Sequence, residues 1–421
     1  MKTTRLFQAL FCFTLVLAIA AGCRSVHPGK MSVNVRDLGA KGDGVTKDTA
    51  AFQAALDSCA THGGGIVIVP AGAYLIGSVV VGANTTLQLE SGAKLTGSPD
   101  IADYPLINVR WEGEFRQGHR ALISSDNANN VTITGPGAIS GPPVSLSQLR
   151  NPRGPVLIEL ANGTNVTLNG FSTQYQRLWS IHLLLCRNVT ARGLVIRTAA
   201  LSNGDGMDVD SCDGVTIEHC DINTGDDAIS LKSGRGLAAL RLGRPTQNVL
   251  IKDCLLVSSI DAGLGLGTEM SGGVRDVRLE NCLISGRQNG IFIKSRDGRG
   301  GFMENITFEN ITVSNSPTLV GIDLTTKGIQ ATDPVPGDVE KWALVKNIRF
   351  SHVKVINVQA LVVGKNVPPE RPIDGFTLAD ITGTCGKGIT LSNVLNAKFD
   401  GINVTGFSGA LFTTNNVQMA P

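Results

Sequence analysis

Three aspartates are the residues of this sequence whose type and spacing best suit chemistry. Asp205 stands alone, Asp226 and Asp227 are adjacent, and aligning the internal repeats places Asp205 and Asp227 at one site of consecutive repeats. Cleavage of a glycosidic bond needs a carboxylic acid to protonate the leaving oxygen and a carboxylate to activate water or attack carbon. Asp226 could donate the proton while Asp205 and Asp227 hold the attacking water. This division predicts inversion, with acid and base carboxyl groups roughly 6.5–9.5 Å apart.

Two simpler explanations of these aspartates are ordinary turns and a calcium site, in which Asp208 could also take part. Carboxylates on neighbouring strands repel each other when ionised, which raises the pKa of at least one of them. Because that arrangement opposes stability, we interpret the cluster as catalytic and expect no cofactor and no bound metal. Adjacent Asp226 and Asp227 cannot both project outward from a regular strand, so we also expect a bend there.

Six further side chains are predicted to bind substrate in the same groove. The repeat alignment places three of them in one outward column and two lysines in the next, which Asp210, Gly267 and Thr325 share. The sixth lies in the loop after the last of these strands. Cations beside a groove would suit an acidic sugar, because ammonium and guanidinium groups bind carboxylates strongly. The predicted substrate-binding residues are His182, Asp208, Lys232, Phe292, Lys294 and Arg296.

A repeated segment of the form Asn-Val-Thr-Ile indicates how the chain brings these residues together. Its copies recur every 21 to 42 residues or so, a period typical of stacked repeat architectures. A triplet with apolar outer members and mostly polar middle members precedes each copy, which is the alternation of a strand with one buried face. The copies include those that begin at Asn130, Asn165, Asn188, Asn248, Asn305 and Asn347. We therefore predict an all-β fold, a single right-handed parallel β-helix (a solenoid).

One position of the repeat is predicted to form an interior column of stacked apolar side chains. Its members are Phe171, Leu194, Cys220, Cys254, Cys282, Ile311, Val353, Ile381 and Ile402. The three cysteines then serve as small core residues, although Cys254 could instead form a disulfide with Cys220 or Cys282. The helical spacing from Thr49 to about Ala60, with Asp48 or Thr49 as N-cap, predicts a short N-terminal helix that caps the open first coil.

The first 30 residues resemble export and tethering segments. Lys2 and Arg5 precede an apolar run, and small residues precede Cys23, so residues 1–22 are predicted to be an export signal peptide. Residues 23–30 would be a tether, either lipidated at Cys23 or, after simple cleavage near Gly22, free. We expect an outer-membrane or cell-surface lipoprotein, or otherwise a periplasmic or secreted protein. Residues 31–421 are predicted to form the β-helix catalytic domain, acting as a monomer.

The charge balance limits the classes of partner. The full chain carries 37 Lys and Arg against 35 Asp and Glu, and loss of Lys2 and Arg5 with the signal would equalise the two counts. Nucleic-acid binding requires an extended basic patch, which this balance does not favour. We predict an acidic plant-type polysaccharide as partner, no nucleic acid, and contact with a membrane only through a lipid anchor.

Several motifs resemble glycoside hydrolase family 28, the polygalacturonases and rhamnogalacturonan hydrolases. The resemblance covers most of the mature chain. Its matching segments are Asn34–Gly44, Trp179-Ser180-Ile181-His182, Asn203-Gly204-Asp205 and Gly225-Asp226-Asp227, of which the last two are the most specific. The resemblance implies an inverting hydrolase of pectic chains, with Asp226 as acid and Asp205 and Asp227 as the base pair.

The chain departs from the polygalacturonase pattern at two positions. Ala262 stands where the family has the histidine of Gly-His-Gly, and Phe292 stands where it has the arginine of Arg-Ile-Lys, whereas Lys294 is retained. Loss of a cation and gain of an aromatic ring favour contact with an apolar sugar face or a deoxy-sugar methyl group. We therefore expect action on rhamnogalacturonan or a substituted galacturonan rather than on plain polygalacturonate.

Two other functions are compatible with these motifs. A non-catalytic polysaccharide-binding protein would explain Ala262 and Phe292 but not the retention of all three aspartates. A pectate-type lyase would use carboxylate-bound calcium with a lysine or arginine base, and a chelator would stop it. An Asp226→Asn substitution separates the first alternative from a hydrolase, because it would abolish turnover and leave simple binding intact.

Overall fold

The computed structural model describes residues 31–142, 149–176, 178–198, 201–326 and 341–421. The predicted signal peptide, the tether with Cys23, and residues 328–340 of a predicted groove-side loop lie outside these residues. In the described part, no helix has the length and apolar character needed to cross a membrane.

Short strands make up most of the described chain, accompanied by two α-helices and two 3-10 turns. The helices are α1 (Thr49–Thr61) and α2 (Gly236–Leu242), and the turns span Val35–Leu38 and Ile101–Asp103. The strands are β1 Met31–Asn34, β2 Asp43–Lys47, β3 Gly65–Val69, β4 Gly72–Ile76, β5 Val79–Val80, β6 Thr85–Leu89, β7 Ala93–Gly97, β8 Leu106–Trp111, β9 Glu114–His119, β10 Ile123–Asp126, β11 Thr132–Thr134, β12 Ala138–Ser140, β13 Ile158–Ala161, β14 Thr164–Asn169, β15 Ser172–Gln176, β16 Ile181–Leu184, β17 Arg187–Arg192, β18 Val195–Thr198, β19 Met207–Asp210, β20 Asp213–Glu218, β21 Asp221–Thr224, β22 Ile229–Lys232, β23 Thr246–Lys252, β24 Leu255–Ser258, β25 Ala262–Leu266, β26 Val274–Glu280, β27 Leu283–Gly286, β28 Asn289–Lys294, β29 Phe302–Ser314, β30 Thr318–Asp323, β31 Leu344–Val358, β32 Ala360–Asn366, β33 Ile373–Cys385, β34 Ile389–Thr405 and β35 Phe412–Met419.

Parallel pairing between successive coils organises these strands into three sheets of a right-handed parallel β-helix. The site sheet runs β5–β10–β13–β16–β19–β22–β25–β28–β30–β32–β34, and a second sheet runs from β1 and β3 through β14, β17 and β20 to β35. The third sheet runs from β2 through β15, β18 and β21 to β29. Most coils contribute one strand to each sheet in turn, and in later coils one long strand such as β29 or β31 runs from the second sheet into the third. This stacking confirms the predicted solenoid.

Alternating burial explains why these segments form strands. In β6 Leu87 and Leu89 are buried while Thr86 and Gln88 face outward, and in β14 the two apolar residues are buried while threonine and asparagine residues face outward. The predicted interior column is buried from Phe171 to Ile381, and direct pairing places Ile311, Val353, Ile381 and Ile402 in register. Only Ile402, near the last coil, is partly exposed. Cys220, Cys254 and Cys282 are buried free thiols, so neither alternative disulfide is formed.

The predicted helical cap is confirmed as α1, which packs Phe52, Leu56 and Cys59 against the first coil. Asp48 is its N-cap residue, but the Asp48 carboxylate accepts hydrogen bonds from the backbone N–H groups of Lys41 and Gly42 instead of capping the helix. Asp48 therefore links the start of α1 to the preceding turn.

One predicted register is wrong by two residues. The structure pairs Ile291 with Val320 and Lys294 with Asp323, whereas the repeat alignment had placed Lys294 beside Thr325. A slip of two residues keeps every side chain on the same face of a strand, so the apolar pattern cannot detect it. The earlier steps of that column, from Asp210 to Lys232, agree with the predicted order.

Candidate active site

The three aspartates converge where the chain passes from the third sheet into the site sheet. The backbone N–H of Gly206 donates to the Asp227 carbonyl at 3.0 Å, so Asp205 and Asp227 stand at equivalent points of adjacent coils. One carboxylate oxygen of Asp205, one of Asp226 and one of Asp227 lie within 4.8 Å of one another. Residues distant in the sequence thus form one acidic cluster, as the repeat alignment predicted.

A bend before β22 lets Asp226 join this cluster. Gly225 and Asp226 are in the bend, and the Asp226 side chain is partly exposed whereas Asp227 is buried. Asp226 Oδ2 accepts a hydrogen bond from the Asn203 backbone N–H at 2.7 Å, and Oδ1 accepts one from the Asp227 N–H at 3.1 Å. These bonds fix the orientation of the most accessible carboxylate in the cluster.

Two glycines near the aspartates leave no room for a side chain. A Cβ atom added to Gly265 would lie 2.3 Å from Asp227 Oδ2, and one added to Gly206 would lie 2.4 Å from the Ala228 carbonyl oxygen. Any larger residue at position 265 would displace the Asp227 carboxylate. Sequence analysis did not identify this dependence of Asp227 on Gly265.

Lys294 forms a bridge between two carboxylates of this region. Its Nζ lies 2.9 Å from Asp227 Oδ2 and 3.0 Å from Asp261 Oδ2. Burial raises the pKa of Asp227 to about 7, with repulsion from Asp261 and Asp226 adding to the effect and Lys294 opposing it. The predicted substrate-binding Lys294 is thus buried and engaged by protein carboxylates. Asp261, which sequence analysis did not select, is its second partner.

Asp205 is paired more loosely, on the opposite side of the cluster. Lys232 Nζ lies 3.7 Å from Asp205 Oδ2, 2.6 Å from Asp208 Oδ1 and 3.8 Å from Glu269 Oε2. Burial raises the pKa of Asp205 well above its ordinary value, and repulsion from Asp208 and Asp226 adds to this effect. Burial also raises the pKa of Asp208, against the attraction of Lys232. Both Asp208 and Lys232 are buried, so the structure places them beneath the groove.

His182 belongs to the same buried layer. Its Nδ1 lies 2.9 Å from Glu159 Oε2, and its Nε2 lies 3.8 Å from Asp210 Oδ2. Burial opposes protonation, but Asp210 and Glu159 outweigh it and raise the pKa of His182 to about 9. Arg110, from β8, places its Nε 3.4 Å from the same oxygen, Asp210 Oδ2. The side chains of His182, Asp208 and Lys232 therefore form an ionic layer below the aspartates, and the structure does not bring them to the open surface.

The two remaining predicted substrate-binding residues stay partly exposed. Phe292 lies in the outward column of the site sheet, and Lys294 Nζ is 5.2 Å from the centre of its ring. Arg296 donates from Nη1 to the Ser295 carbonyl oxygen at 3.0 Å. Both can still be reached by a ligand in the groove.

The cluster suits acid–base chemistry better than a metal ion. Calcium takes about six to eight oxygen ligands, whereas three carboxylates converge here. Cationic Lys294 lies against Asp227 and cationic Lys232 lies near Asp205, so the negative charge is already partly offset. Carboxylates with raised pKa values, here Asp205 and Asp227, beside the partly exposed Asp226 can exchange protons with a bound ligand or water.

Comparisons with known proteins agree with this architecture. The family model described as glycosyl hydrolases family 28 matches residues 59–419. A probable polygalacturonase of Vitis vinifera is 30% identical over 87% of this chain and 75% of its own length. An exo-poly-alpha-D-galacturonosidase of Dickeya chrysanthemi is 26% identical over 89% of this chain and 68% of its own length.

Solved structures show the same fold at lower identity. A Yersinia enterocolitica family 28 exopolygalacturonase superimposes with a TM-score of 0.82 at 22% identity, covering 93% of this chain and 78% of that one. An exopolygalacturonase from Thermotoga maritima gives a TM-score of 0.76 at 24% identity, covering 88% and 92%. Because the family model spans nearly all of the described β-helix, the chain belongs to glycosyl hydrolase family 28.

Proposed function

We propose that this glycoside hydrolase cleaves pectic chains with inversion, using Asp226 as the acid and Asp205 with Asp227 as the base pair. The observation that carries the proposal is the convergence of the three carboxylates within 4.8 Å, in a chain of this family. That distance joins one oxygen of each side chain. The separation of roughly 6.5–9.5 Å expected for inversion concerns whole acid and base carboxyl groups and stays a prediction.

The division of roles follows the accessibility of each carboxylate. Asp226 is partly exposed and held by two backbone N–H groups, so it can reach a glycosidic oxygen in the groove. Asp205 and Asp227 are buried and face the same space from adjacent coils, which suits joint binding of one water molecule. The raised pKa of Asp227, about 7, lies where a general base is efficient near neutral pH.

The substrate we favour is rhamnogalacturonan or a substituted galacturonan. Ala262 follows Asp227 in the site-sheet register, and the partly exposed ring of Phe292 lies on the next coil. Lys294, the cation retained there, is already bound by Asp227 and Asp261. This side of the groove therefore has an aromatic surface beside a lysine that protein carboxylates already engage, which suits a neutral or deoxy sugar better than a galacturonate.

A panel of pectic oligosaccharides tests the proposal. We expect the wild-type protein to release new reducing ends from rhamnogalacturonan or substituted galacturonan, and Asp226→Asn to lower kcat by at least about a hundredfold, as for loss of a general acid. Asp37→Asn, at an exposed position of the first 3-10 turn, is the matched control and should keep full activity.

Three outcomes would contradict the proposal. Binding of the oligosaccharides without turnover by the wild-type protein would instead indicate a surface binder. An ultraviolet-absorbing unsaturated product that disappears with a chelator would indicate a lyase. Full activity of Asp226→Asn would remove the assigned acid.

A further inference from the structure

The coil just before Asp205 carries a tryptophan at the site where the next two coils carry catalytic aspartates. The Ser180 N–H donates to the Asp205 carbonyl at 3.0 Å, and Ile181 pairs with Met207, so Trp179 stands in the column of Asp205. Neighbouring coils lie roughly 4.8 Å apart. The groove thus meets a large side chain within one coil of the acidic cluster.

Trp179 is the base of a packed stack. The Trp111 ring stacks on it with centroids 4.1 Å apart and an interplanar angle of 25°. The Arg153 guanidinium carbon lies 3.2 Å from the Trp111 ring centre. Trp111, Trp179 and Arg153 are only 1%, 2% and 5% exposed, and the two rings belong to an apolar cluster outside the β-helix interior. This stack, here called the tryptophan plug, leaves no room for a sugar on its coil.

The hairpin of β8 and β9 holds the plug in place. Arg110, next to Trp111, bonds Ser211 at 3.2 Å. At the hairpin turn, the Arg235 N–H donates to the Gly113 carbonyl at 3.1 Å. At the other end, the His119 N–H donates to the Arg153 carbonyl at 2.7 Å. These contacts with several coils fix the position of the tryptophan plug.

On the opposite side of the aspartates, side chains of the following coils reach the surface. After Asp227 the site-sheet columns continue with the buried Ala262 and Gly265 and then the partly exposed Phe292. The aromatic ring can contact further sugars. A chain can therefore extend from the aspartates toward later coils but not past the plug.

Arg153 brings a positive charge without an ion-pair partner to the closed end. Within the described residues no carboxylate lies within ion-pair distance of its guanidinium, and its Nε has no hydrogen-bond partner. Its Nη2 lies 3.3 Å from Asn203 Oδ1, and the Asn203 N–H binds Asp226. Burial without an ionic partner is costly for a cation, and it lowers the pKa of Arg153 to about 9. A ligand carboxylate would supply the missing partner.

We propose, on the basis of the function proposed above, that the tryptophan plug makes the enzyme act at a chain end and that Arg153 binds the carboxylate of the terminal uronic acid. The terminal sugar then lies between the plug and the aspartates. The bond beside it is the one that reaches Asp226, and the remainder of the chain extends over Phe292. A uronate at the closed end and a neutral sugar at the open side match a chain in which the two sugar types alternate.

Product size tests the chain-end action. During digestion of a long cleavable pectic substrate, we expect wild-type protein to release only monosaccharides from the earliest time points, with little loss of viscosity per bond broken. Early release of mixed long fragments would overturn the inference while leaving the proposed function intact. Absence of any cleavage would instead refute the proposed function, and this inference with it.

Substitution at position 153 tests the recognition of charge. Wild-type protein should cleave oligosaccharides ending in a free uronic acid at least about tenfold more efficiently than those ending in its methyl ester, the scale of one charge-assisted hydrogen bond. Arg153→Gln should lose that preference mainly through KM, and Arg153→Lys should keep part of it. Arg192→Gln, at an exposed position of the second sheet, is the matched control.

The preference between acid and ester distinguishes recognition from a structural role. If Arg153 only supported the plug, Arg153→Gln would alter product sizes or thermal stability but keep the acid-over-ester preference. Retention of the preference in Arg153→Gln, or its absence in wild-type protein, overturns the assignment of Arg153.

Discussion

Asp227 illustrates how a few neighbouring charges define a proposed catalytic group. It is buried between Lys294, which favours its ionised form, and Asp261 and Asp226, which oppose it. Lys294 is the retained family lysine, but here Asp261 shares it. The lysine therefore acts on the proposed base, and its availability to a sugar carboxylate is reduced.

Two substitutions should move the pH dependence in opposite directions. As the proposed base, Asp227 must be ionised, so the low-pH limb of kcat/KM follows its pKa of about 7. Asp261→Asn removes a negative neighbour, which favours ionised Asp227 and should shift the limb about one unit toward lower pH. Lys294→Met removes the cation and should shift it at least about one unit upward. A shift of the low-pH limb in the same direction in both variants, or no shift in either variant, would contradict this electrostatic account.

His182 should make stability depend on pH. Its folded pKa of about 9 exceeds the ordinary value near 6.5, so protonated His182 stabilises the fold fully below about pH 6.5, and this contribution is lost as pH rises through about 9. The shift corresponds to roughly 3 kcal/mol. Urea unfolding of wild-type protein and His182→Gln at pH 6 and pH 10 should show a smaller pH-dependent loss in the variant. Parallel losses would contradict the prediction.

The site residues that sequence analysis identified have their contacts in regular coils, whereas those it missed have their contacts in irregular turns. Asp205, Asp226 and Asp227 could be placed together because regular coils repeat their spacing. Asp261 and Arg153 could not, because their contacts depend on irregular turns whose shape no repeat specifies. His182, Asp208 and Lys232 were placed in the correct columns, but the hairpin that covers them was not foreseen, so they were expected to be accessible.

At the scale of elements, the structure explains the asparagine of each repeat. Asn165 has a left-handed backbone with φ of 59°, and its amide receives a hydrogen bond from Asn188 and donates one to Asn130. Asparagine tolerates this conformation better than most residues. Sequence analysis found the repeat from its period but did not assign this turn-forming role.

Two substitutions of Asn165 separate backbone strain from the side-chain hydrogen bonds. Asn165→Ala loses both the amide contacts and an easy left-handed conformation, and should lower the free energy of unfolding by about 2–3 kcal/mol. Asn165→Gly keeps the conformation accessible and should be about 1 kcal/mol less destabilising. Denaturant unfolding measures both values. An equal or larger loss for Asn165→Gly would show that strain is unimportant at this turn.

The hairpin of β8 and β9 shows which elements a repeat cannot predict. Nothing in the residues of this hairpin specifies where it docks. Its position depends on individual contacts with distant coils, such as Arg110 with Asp210 and Gly113 with Arg235. The same limitation produced the two-residue register error at Val320, since loop length determines the register between coils.

At the scale of the whole molecule, each coil contacts mainly its neighbours, so the solenoid fixes the site through a local stack of coils. The fold was predictable because the period of the repeat and the alternation of apolar and polar residues are sufficient to specify it. The interior is equally repetitive, as in the stacked rings of Phe308 and Phe350 with centroids 4.4 Å apart.

The placement of the whole molecule in the cell rests on its first residues. We propose that residues 1–22 direct export and that Cys23 becomes lipidated. Cys23→Ser should then move the protein from the membrane fraction to the soluble exported fraction without changing its specific activity, as measured by fractionation and activity assay. An unchanged distribution would favour simple cleavage and a freely soluble product.

The central claim is that three aspartates on successive coils hydrolyse a pectic chain. The most direct test follows rhamnogalacturonan or substituted galacturonan oligosaccharides by NMR in the presence of wild-type protein and Asp226→Asn. We predict that wild-type protein first produces reducing ends of inverted anomeric configuration, and that Asp226→Asn produces almost none. Absence of cleavage by wild-type protein, products of retained configuration, or equal turnover by the variant would contradict the account.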